Sequence, residues 1–293
     1  MLSDKTLNLN GQLKKLDKSL VMGILNITPD SFYQGNRFSV GRELLDTARL
    51  FIEQGADILD IGAYSSRPGA DLGNTQKELE RIEPALSLIR EHFPDVILSV
   101  DTFRAKVAEV AVEKYNVNII NDISAGSLDA DLFETVAALH VPYILMHMQG
   151  RPENMQQNPT YEDIETEVIN FLAEKLSELH QLGVNDVIID PGFGFGKTIE
   201  QNYKLMAKLE LFTFFDAPLL VGISRKSMIY KLLETDPTQA LNGTTALHLL
   251  ALTKGANILR VHDVKQAVEI VRIFEKLVEQ QLPVQSYQSI NQL

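Results

Sequence analysis

Val141-Pro142-Tyr143-Ile144-Leu145-Met146-His147 is followed by a helical pattern, with Ile164, Val168, Phe171, Leu172, Leu176 and Leu179 on one face, and then by Asp186-Val187-Ile188-Ile189-Asp190. Read in order, the segment is strand, helix, strand. Neither apolar run alternates in and out as a half-wet sheet would, so both strands are expected to be buried on both faces, as in a parallel sheet covered by helices. The one-sided apolar stripe of the helix supplies that cover. Both strands also end on a polar residue, His147 and Asp190.

The same unit recurs along the chain. Apolar runs at 21–27, 57–61, 96–101, 117–123, 219–223 and 257–262 join those at 141–147 and 186–190 to make eight strands. Leu44, Leu45, Ala48, Phe51 and Ile52 share a helical face after the first strand, and Val264, Val268, Val271, Phe274 and Val278 do so after the last. Strict alternation implies right-handed crossovers, and eight units suit closure into a (β/α)8 TIM barrel better than the open sheet of a Rossmann fold. Residues 6–16 read as a β-hairpin turned at Asn10-Gly11 and placed to cap the bottom of the barrel. The expected organisation is one domain over 1–293, with the hairpin in 1–18, the barrel in 19–281 and a C-terminal tail in 282–293.

Composition narrows the function. The 293 residues are 45% hydrophobic and 23% charged, ordinary for a globular chain. With 27 Lys and Arg against 39 Asp and Glu, the net charge is -12. Attraction to nucleic acid or an anionic membrane is therefore not expected, although locally clustered cations would still hold a small anion. Absence of cysteine excludes disulfides, thiolate nucleophiles and Cys-zinc sites. No apolar run reaches membrane-spanning length and no targeting signal is evident, so the reading predicts a cytoplasmic enzyme.

In such barrels chemistry sits where strands enter their βα loops. Polar residues end nearly every strand: Asn26, Asp60, Asp101, Asn121 with Asp122, His147, Asp190, Ser224 with Lys226, and Arg260 with His262. Asp101, Asn121 and Asp190 suit a flat heterocycle with several N–H donors, because one carboxylate accepts two parallel N–H bonds. Asn26, Arg260 and His262, on neighbouring strands of a closed barrel, suit an oxyanion such as phosphate. A substrate with a heterocycle at one end and phosphate at the other follows.

Three other readings are weaker. The turn from Pro191 to Thr198 resembles a P-loop, but Pro191 stands where the first glycine is needed, so its glycines are expected to let backbone approach a ligand. Lys226 could form a Schiff base, yet its charged surroundings favour an ammonium that donates hydrogen bonds. His147 has no companion at zinc-ligand spacing. His92, His140, His180 and His248 fall in helical contexts and read as surface or packing residues.

Met22-Gly23-Ile24-Leu25-Asn26-Ile27-Thr28-Pro29-Asp30-Ser31-Phe32 resembles the opening motif of the dihydropteroate synthase family, and Asp60-Ile61-Gly62 through Ser66-Arg67-Pro68-Gly69 its second. Ser99-Val100-Asp101-Thr102, Asn121-Asp122-Ile123, Met146-His147-Met148, the run from Asp190 to Lys197, Ser224-Arg225-Lys226-Ser227 and Arg260-Val261-His262-Asp263-Val264 follow in family order. The resemblance spans residues 22–264. It implies condensation of hydroxymethyl-dihydropterin pyrophosphate with p-aminobenzoate, Mg2+ as cofactor with Asn26 as its ligand, and a homodimer, for which the apolar face of the last helix is available.

By the same resemblance, Asp101, Asn121, Met146, Asp190, Phe195, Gly222 and Lys226 hold the pterin. Asn26, Ser66, Arg67, Arg260 and His262 hold the pyrophosphate. Phe32, Ser66, Pro68, Phe195, Lys226 and Ser227 form the aminobenzoate pocket. The residues expected to carry catalysis are Asp101, Lys226, Arg260, His262, Asp30 and Arg67. Two departures fall in the first two loops, where Ala63-Tyr64-Ser65-Ser66 replaces a frequent Gly-Glu-Ser-Thr and Tyr33-Gln34-Gly35-Asn36 a usual Ser-Asp-Gly-Gly. They bear on loop closure and aminobenzoate affinity. The rival expectations are a pterin-dependent methyltransferase and a non-catalytic pterin-binding barrel.

Overall fold

The computed structural model describes residues 5–27, 37–63, 74–155 and 159–281. Eight parallel strands follow an N-terminal hairpin: β3 Leu20–Asn26, β4 Ile58–Gly62, β5 Ile97–Asp101, β6 Ile119–Asp122, β7 Tyr143–Met146, β8 Val187–Asp190, β9 Leu220–Val221 and β10 Ile258–Val261. Their order is β8-β7-β6-β5-β4-β3-β10-β9, and a parallel bridge from Ile189 to Leu219 joins the two ends into a barrel. Asn257 N–H and Ile258 N–H both donate to Leu219 O, which locks the short β9 in place.

Helices α1 Arg37–Gln54, α2 Thr75–His92, α3 Ala105–Tyr115, α4 Leu132–Leu139, α5 Ile164–Gln181, α6 Ile199–Ala207, α7 Ser227–Tyr230, α8 Leu241–Thr253 and α9 Val264–Gln281 accompany the strands. The expected stripe on α5 is the buried one: Ile164, Val168, Leu172, Leu176 and Leu179 face the strands. Asp163 starts this helix by accepting from Thr166 N–H. Thr198 and Gln201 start α6 with a reciprocal capping box, so the backbone N–H groups of both residues are satisfied.

The hairpin pairs β1 Thr6–Leu9 with β2 Gln12–Lys15 around Asn10 and Gly11, whose φ angles are 51° and 84°. Positive φ at both turn residues is what a two-residue hairpin requires, and Asn-Gly adopts it at least cost. Leu7, Leu9 and Leu16 then pack in one cluster with Leu20, Met22, Ile58, Ile119, Ile144, Ile188, Leu220 and Ile258, drawn from seven of the strands, with Ile97 of β5 against its edge. The bottom of the barrel is thus plugged with hydrocarbon, each fully buried leucine contributing roughly 1.5–3 kcal/mol.

Side chains on a strand repeat every two residues. One step above Ile58, Ile97, Ile119, Ile144, Ile188, Leu220 and Ile258 therefore stand Asp60, Ser99, Asn121, Met146, Asp190, Gly222 and Arg260. The lumen changes from apolar to polar within that single step. A second core, between the outer faces of the strands and the helices, fixes the barrel wall.

Candidate active site

Arg260 rises from β10 and crosses the lumen. Its Nε–H donates to Asp60 Oδ2 at 2.7 Å and its Nη2 to Asp101 Oδ2 at 2.8 Å. Asn121 Nδ2 donates to the same Asp60 oxygen at 3.1 Å. Burial works against the guanidinium charge, but the Asp60 and Asp101 carboxylates outweigh it and hold the pKa above its ordinary value. The carboxylate and cationic regions that the sequence reading kept apart are one ion-paired cluster. The cause is reach, since an arginine side chain is long enough to span the narrow upper lumen.

Above this cluster the mouth is built by Asn26, Gly62 and His262. Asn26 ends β3 and is exposed. A Cβ on Gly62 would lie 3.5 Å from Asp101 Cβ and 3.6 Å from Asn26 Oδ1, so a glycine there keeps open the space beside both. His262 donates its backbone N–H to Ser224 Oγ at 3.2 Å, tying the end of β10 to the loop after β9. His262 is exposed at the mouth, yet partial desolvation by the surrounding atoms first, and the Arg260 charge second, push its pKa down to about 4. In the unliganded protein this imidazole is neutral near pH 7.

Lys226 forms the facing wall. Its Nζ donates to Phe193 O at 2.5 Å and lies 4.7 Å from the centre of the Phe195 ring. A Cβ on Gly222 would come within 4.0 Å of that Nζ and 3.8 Å of Arg260 Cβ. Burial lowers the Lys226 pKa to about 8, with Asp190 opposing the fall and Arg260 adding to it. The group is an ammonium at neutral pH, as a hydrogen-bonding role requires. Asp190 accepts Gly192 N–H at 2.7 Å, and burial raises its pKa against the pull of Lys226. Met146 clusters with Ile123, Met148 and Met155, and Phe195 packs on that group, so Met146 and Phe195 are brought together. Ser227 begins α7, directly after Lys226.

The glycine-rich turn differs from expectation. A Cβ on Gly192, at φ 71°, would fall 1.9 Å from His147 O, and one on Gly196, at φ 60°, 2.4 Å from Gln149 O. These glycines admit the neighbouring loop after β7 rather than a ligand. His147 is likewise buried away from solvent, 2.9 Å from Lys197 Nζ, and burial and that lysine push its pKa down to about 2. Asp122 is structural too: it accepts from Ser124 N–H, Ser124 Oγ, Gly126 N–H and the Tyr143 hydroxyl, all within 2.7 Å.

Asp30, Phe32, Ser66, Arg67 and Pro68 lie outside the described residues, as do the two departures at 33–36 and 64–66 and the tail 282–293. Sequence reasoning singled out Asp60 as a strand end but gave it no place in the site, where it is fully buried beneath Arg260. The two-residue step up from Ile58 was the available signal. Lys197 was quoted only as the end of a motif, and its burial had no local signature.

Among the described residues, no three His, Asp or Glu side chains cluster to hold a metal ion. The amide oxygen of Asn26 is nevertheless a hard donor at the open mouth, which fits Mg2+, an ion commonly held by one or two protein groups plus water and substrate phosphate. Nor is any described helix long and apolar enough to cross a membrane.

Residues 22–262 match the model of a family described as pterin binding enzyme. The chain is 43% identical over 257 residues to the dihydropteroate synthase of Escherichia coli (strain K12), covering 87% of this chain and 90% of that protein. It is 40% identical to the dihydropteroate synthase of Haemophilus influenzae, over 89% of this chain and 96% of that protein. The Yersinia pestis dihydropteroate synthase solved as a sulfonamide drug complex superimposes with a TM-score of 0.86 at 39% identity, over 94% of this chain and 100% of that one. The Thermus thermophilus dihydropteroate synthase in complex with 4-aminobenzoate gives 0.83 at 36% identity, over 93% and 100%.

Proposed function

The chain belongs to the dihydropteroate synthase family of pterin-binding enzymes, and on that premise we propose that it condenses 6-hydroxymethyl-7,8-dihydropterin pyrophosphate with p-aminobenzoate to give 7,8-dihydropteroate and pyrophosphate. The observation that carries this reading is the polar layer in which Arg260 bridges Asp60 and Asp101 while Asn121, Asp190 and Lys226 surround the same space.

In the proposed reaction the amine nitrogen forms a bond to the pterin methylene as the methylene C–O bond breaks. The electron pair leaves on pyrophosphate, and the amine gives up a proton. An aromatic amine is uncharged near pH 7, so a strong base gains little, whereas departure of pyrophosphate puts positive charge on the pterin. Asp101 stabilises that charge, and Asn121, Asp190 and Lys226 orient the ring with Met146 and Phe195 against its faces. Arg260 and His262 face the leaving group; the neutral His262 donates a hydrogen bond and gains a proton as the anion draws near.

Asn26 would hold Mg2+, which when bound supplies charge neutralisation at the pyrophosphate oxygens. Asp30, Phe32, Ser66, Arg67 and Pro68, with Ser227, complete the aminobenzoate site in this reading, which makes aminobenzoate binding dependent on prior pterin binding. The apolar face of α9 expected to be available for dimerisation, with Val264, Val271 and Val278, is instead buried against the barrel because it covers the strands; exposed Leu250 on α8 and exposed Ile273 and Leu277 on α9 are what support assembly as a homodimer. Sedimentation that returned a monomer at micromolar concentration would remove the dimer from the proposal.

The direct test supplies the purified protein with pterin pyrophosphate, p-aminobenzoate and Mg2+ and follows pyrophosphate and dihydropteroate together. Equal amounts of the two products, each dependent on both substrates, are expected. Pterin binding with no product would instead favour a non-catalytic barrel.

A further inference from the structure

The most deeply buried cation of the site region is one to which the proposed reaction assigns no role. Lys197 is 2% exposed, and its Nζ sits 2.8 Å from Gly192 O, 3.0 Å from Phe195 O, 3.3 Å from His147 O and 2.9 Å from His147 Nδ1. The three carbonyl oxygens can only accept, so the N–H groups of Lys197 are what they meet. The His147 ring beside them packs edge-on against Phe171 with centroids 5.0 Å apart. Three carbonyl oxygens in a dry pocket would repel one another without a cation between them. Burial holds the Lys197 pKa well below the ordinary lysine value, with Asp190 opposing the fall and Lys226 adding to it.

The carbonyls come from two loops. His147 O belongs to the segment after β7, whereas Gly192 O and Phe195 O belong to the turn after β8. That turn is tied at its other side by Asn202, whose Oδ1 accepts Gly194 N–H at 2.6 Å, and by the Tyr161 hydroxyl, which donates to Gly196 O at 2.8 Å. Phe193 and Phe195 are the residues through which the turn touches the pocket: the Phe193 carbonyl receives Lys226 Nζ and the Phe195 ring lies beneath it.

We infer that Lys197 is a positioning residue, whose buried Nζ clamps the turn after β8 onto the loop after β7 and thereby sets where the Phe193 carbonyl and Phe195 ring present Lys226 to the pterin. This rests on the pterin reading of the pocket. Lys197 touches no substrate and acts only through that turn.

Because the chain has no cysteine, Lys197→Cys introduces a unique thiol. Alkylating it in denaturant with 2-bromoethylamine and refolding rebuilds a lysine isostere, whereas alkylation with 1-bromopropane rebuilds the same length without charge. Wild-type protein taken through the same cycle is the reference, and binding of 6-carboxypterin is the readout. The aminoethyl form is expected to bind within about threefold of wild type and the propyl form at least about tenfold more weakly, at matched far-ultraviolet circular dichroism. Equal binding by the two folded forms overturns the inference. Should the propyl form not refold, Tyr161→Phe decides: it loosens the same turn from its other side and is expected to weaken binding about two- to threefold, and no change overturns the inference. A wild type that binds no pterin would refute the pterin reading instead. The positioning would then be read from a 15N NMR titration of Lys226 Nζ, which needs no ligand. Asp190, Asp101 and Arg260 face that group and Lys197 couples to it; in Tyr161→Phe, which leaves all of these groups in place, loss of the Phe193 acceptor lowers the midpoint, and an unmoved midpoint overturns the positioning role.

Discussion

Asp60 Oδ2 on β4 accepts the Arg260 Nε–H at 2.7 Å, two strands round the barrel from β10, so a fully buried carboxylate holds in place the cation that faces the mouth. Asp60→Asn keeps the shape and removes the charge. It is expected to cost about 2 kcal/mol, less than the loss of a wholly isolated pair because Asp101 still engages Arg260. Urea denaturation measures it, and a loss under about 0.5 kcal/mol would mean that Asp60 is not what holds the guanidinium.

Lys226 titrates within reach of ordinary assays. Its pKa is lowered to about 8, so the ammonium is present below that pH and lost as pH rises through it. Pterin affinity is expected to fall above pH 8, approaching a tenfold loss per unit at most. Lys226→Gln should bind more weakly at pH 7 and show no such limb; a limb that persists in the variant belongs to another group.

If Asp101 stabilises charge that develops only as pyrophosphate departs, Asp101→Asn lowers turnover far more than pterin affinity, by about 100-fold or more against a few-fold change in Kd. Single-turnover kinetics and calorimetry separate the two quantities. Loss of affinity alone would make Asp101 a binding group.

Arg225 occupies the left-handed region at φ 55° and grips Asp263 with Nε and Nη2 at 2.8 and 2.7 Å, while its Nη1 reaches Pro237 O and Thr238 O. The fork fixes the loop that carries Ser224 and Lys226 relative to the end of β10. A double-mutant cycle of Arg225→Gln and Asp263→Asn is expected to give a coupling of about 1–2 kcal/mol. Additive effects would show the two to be independent.

Removal of Mg2+ with EDTA is expected to abolish turnover and leave binding of a pterin without phosphate unchanged, because Asn26, the exposed end of β3, is proposed to serve the pyrophosphate and not the ring. Isothermal calorimetry with and without the chelator checks it. Equal loss of pterin affinity would place the ion elsewhere.

Much of this was legible in the residues themselves. Near-continuous apolar runs placed all eight strands within a few positions, with ends such as Val117 and His147 falling just outside β6 and β7, and Asn10-Gly11 placed the hairpin turn. The polar strand ends supplied Asp101, Asn121, Asp190 and Arg260 because chemistry in a barrel collects there. What the pattern could not convey was pairing across the lumen. Arg260 reaches Asp60 over 200 positions of sequence, and His147 is silenced by a lysine 50 positions away. A polar residue at a strand end reads the same whether it meets a ligand, as Asn121 is proposed to, or a set of internal backbone and hydroxyl donors, as Asp122 does.

The leucines of the hairpin stand at the foot of the barrel, separated from Arg260 and its carboxylates by a layer of isoleucine and leucine. Fold maintenance and ligand recognition are therefore located at opposite ends of one molecule. A substitution among the upper residues that weakens ligand contacts, and the fold with them, is open to compensation by better packing around Leu7, Leu9 or Leu16, none of which a ligand can feel. Such a chain has room to drift at its site without first becoming unstable, and the lower leucines are where second-site suppressors of site variants are to be sought.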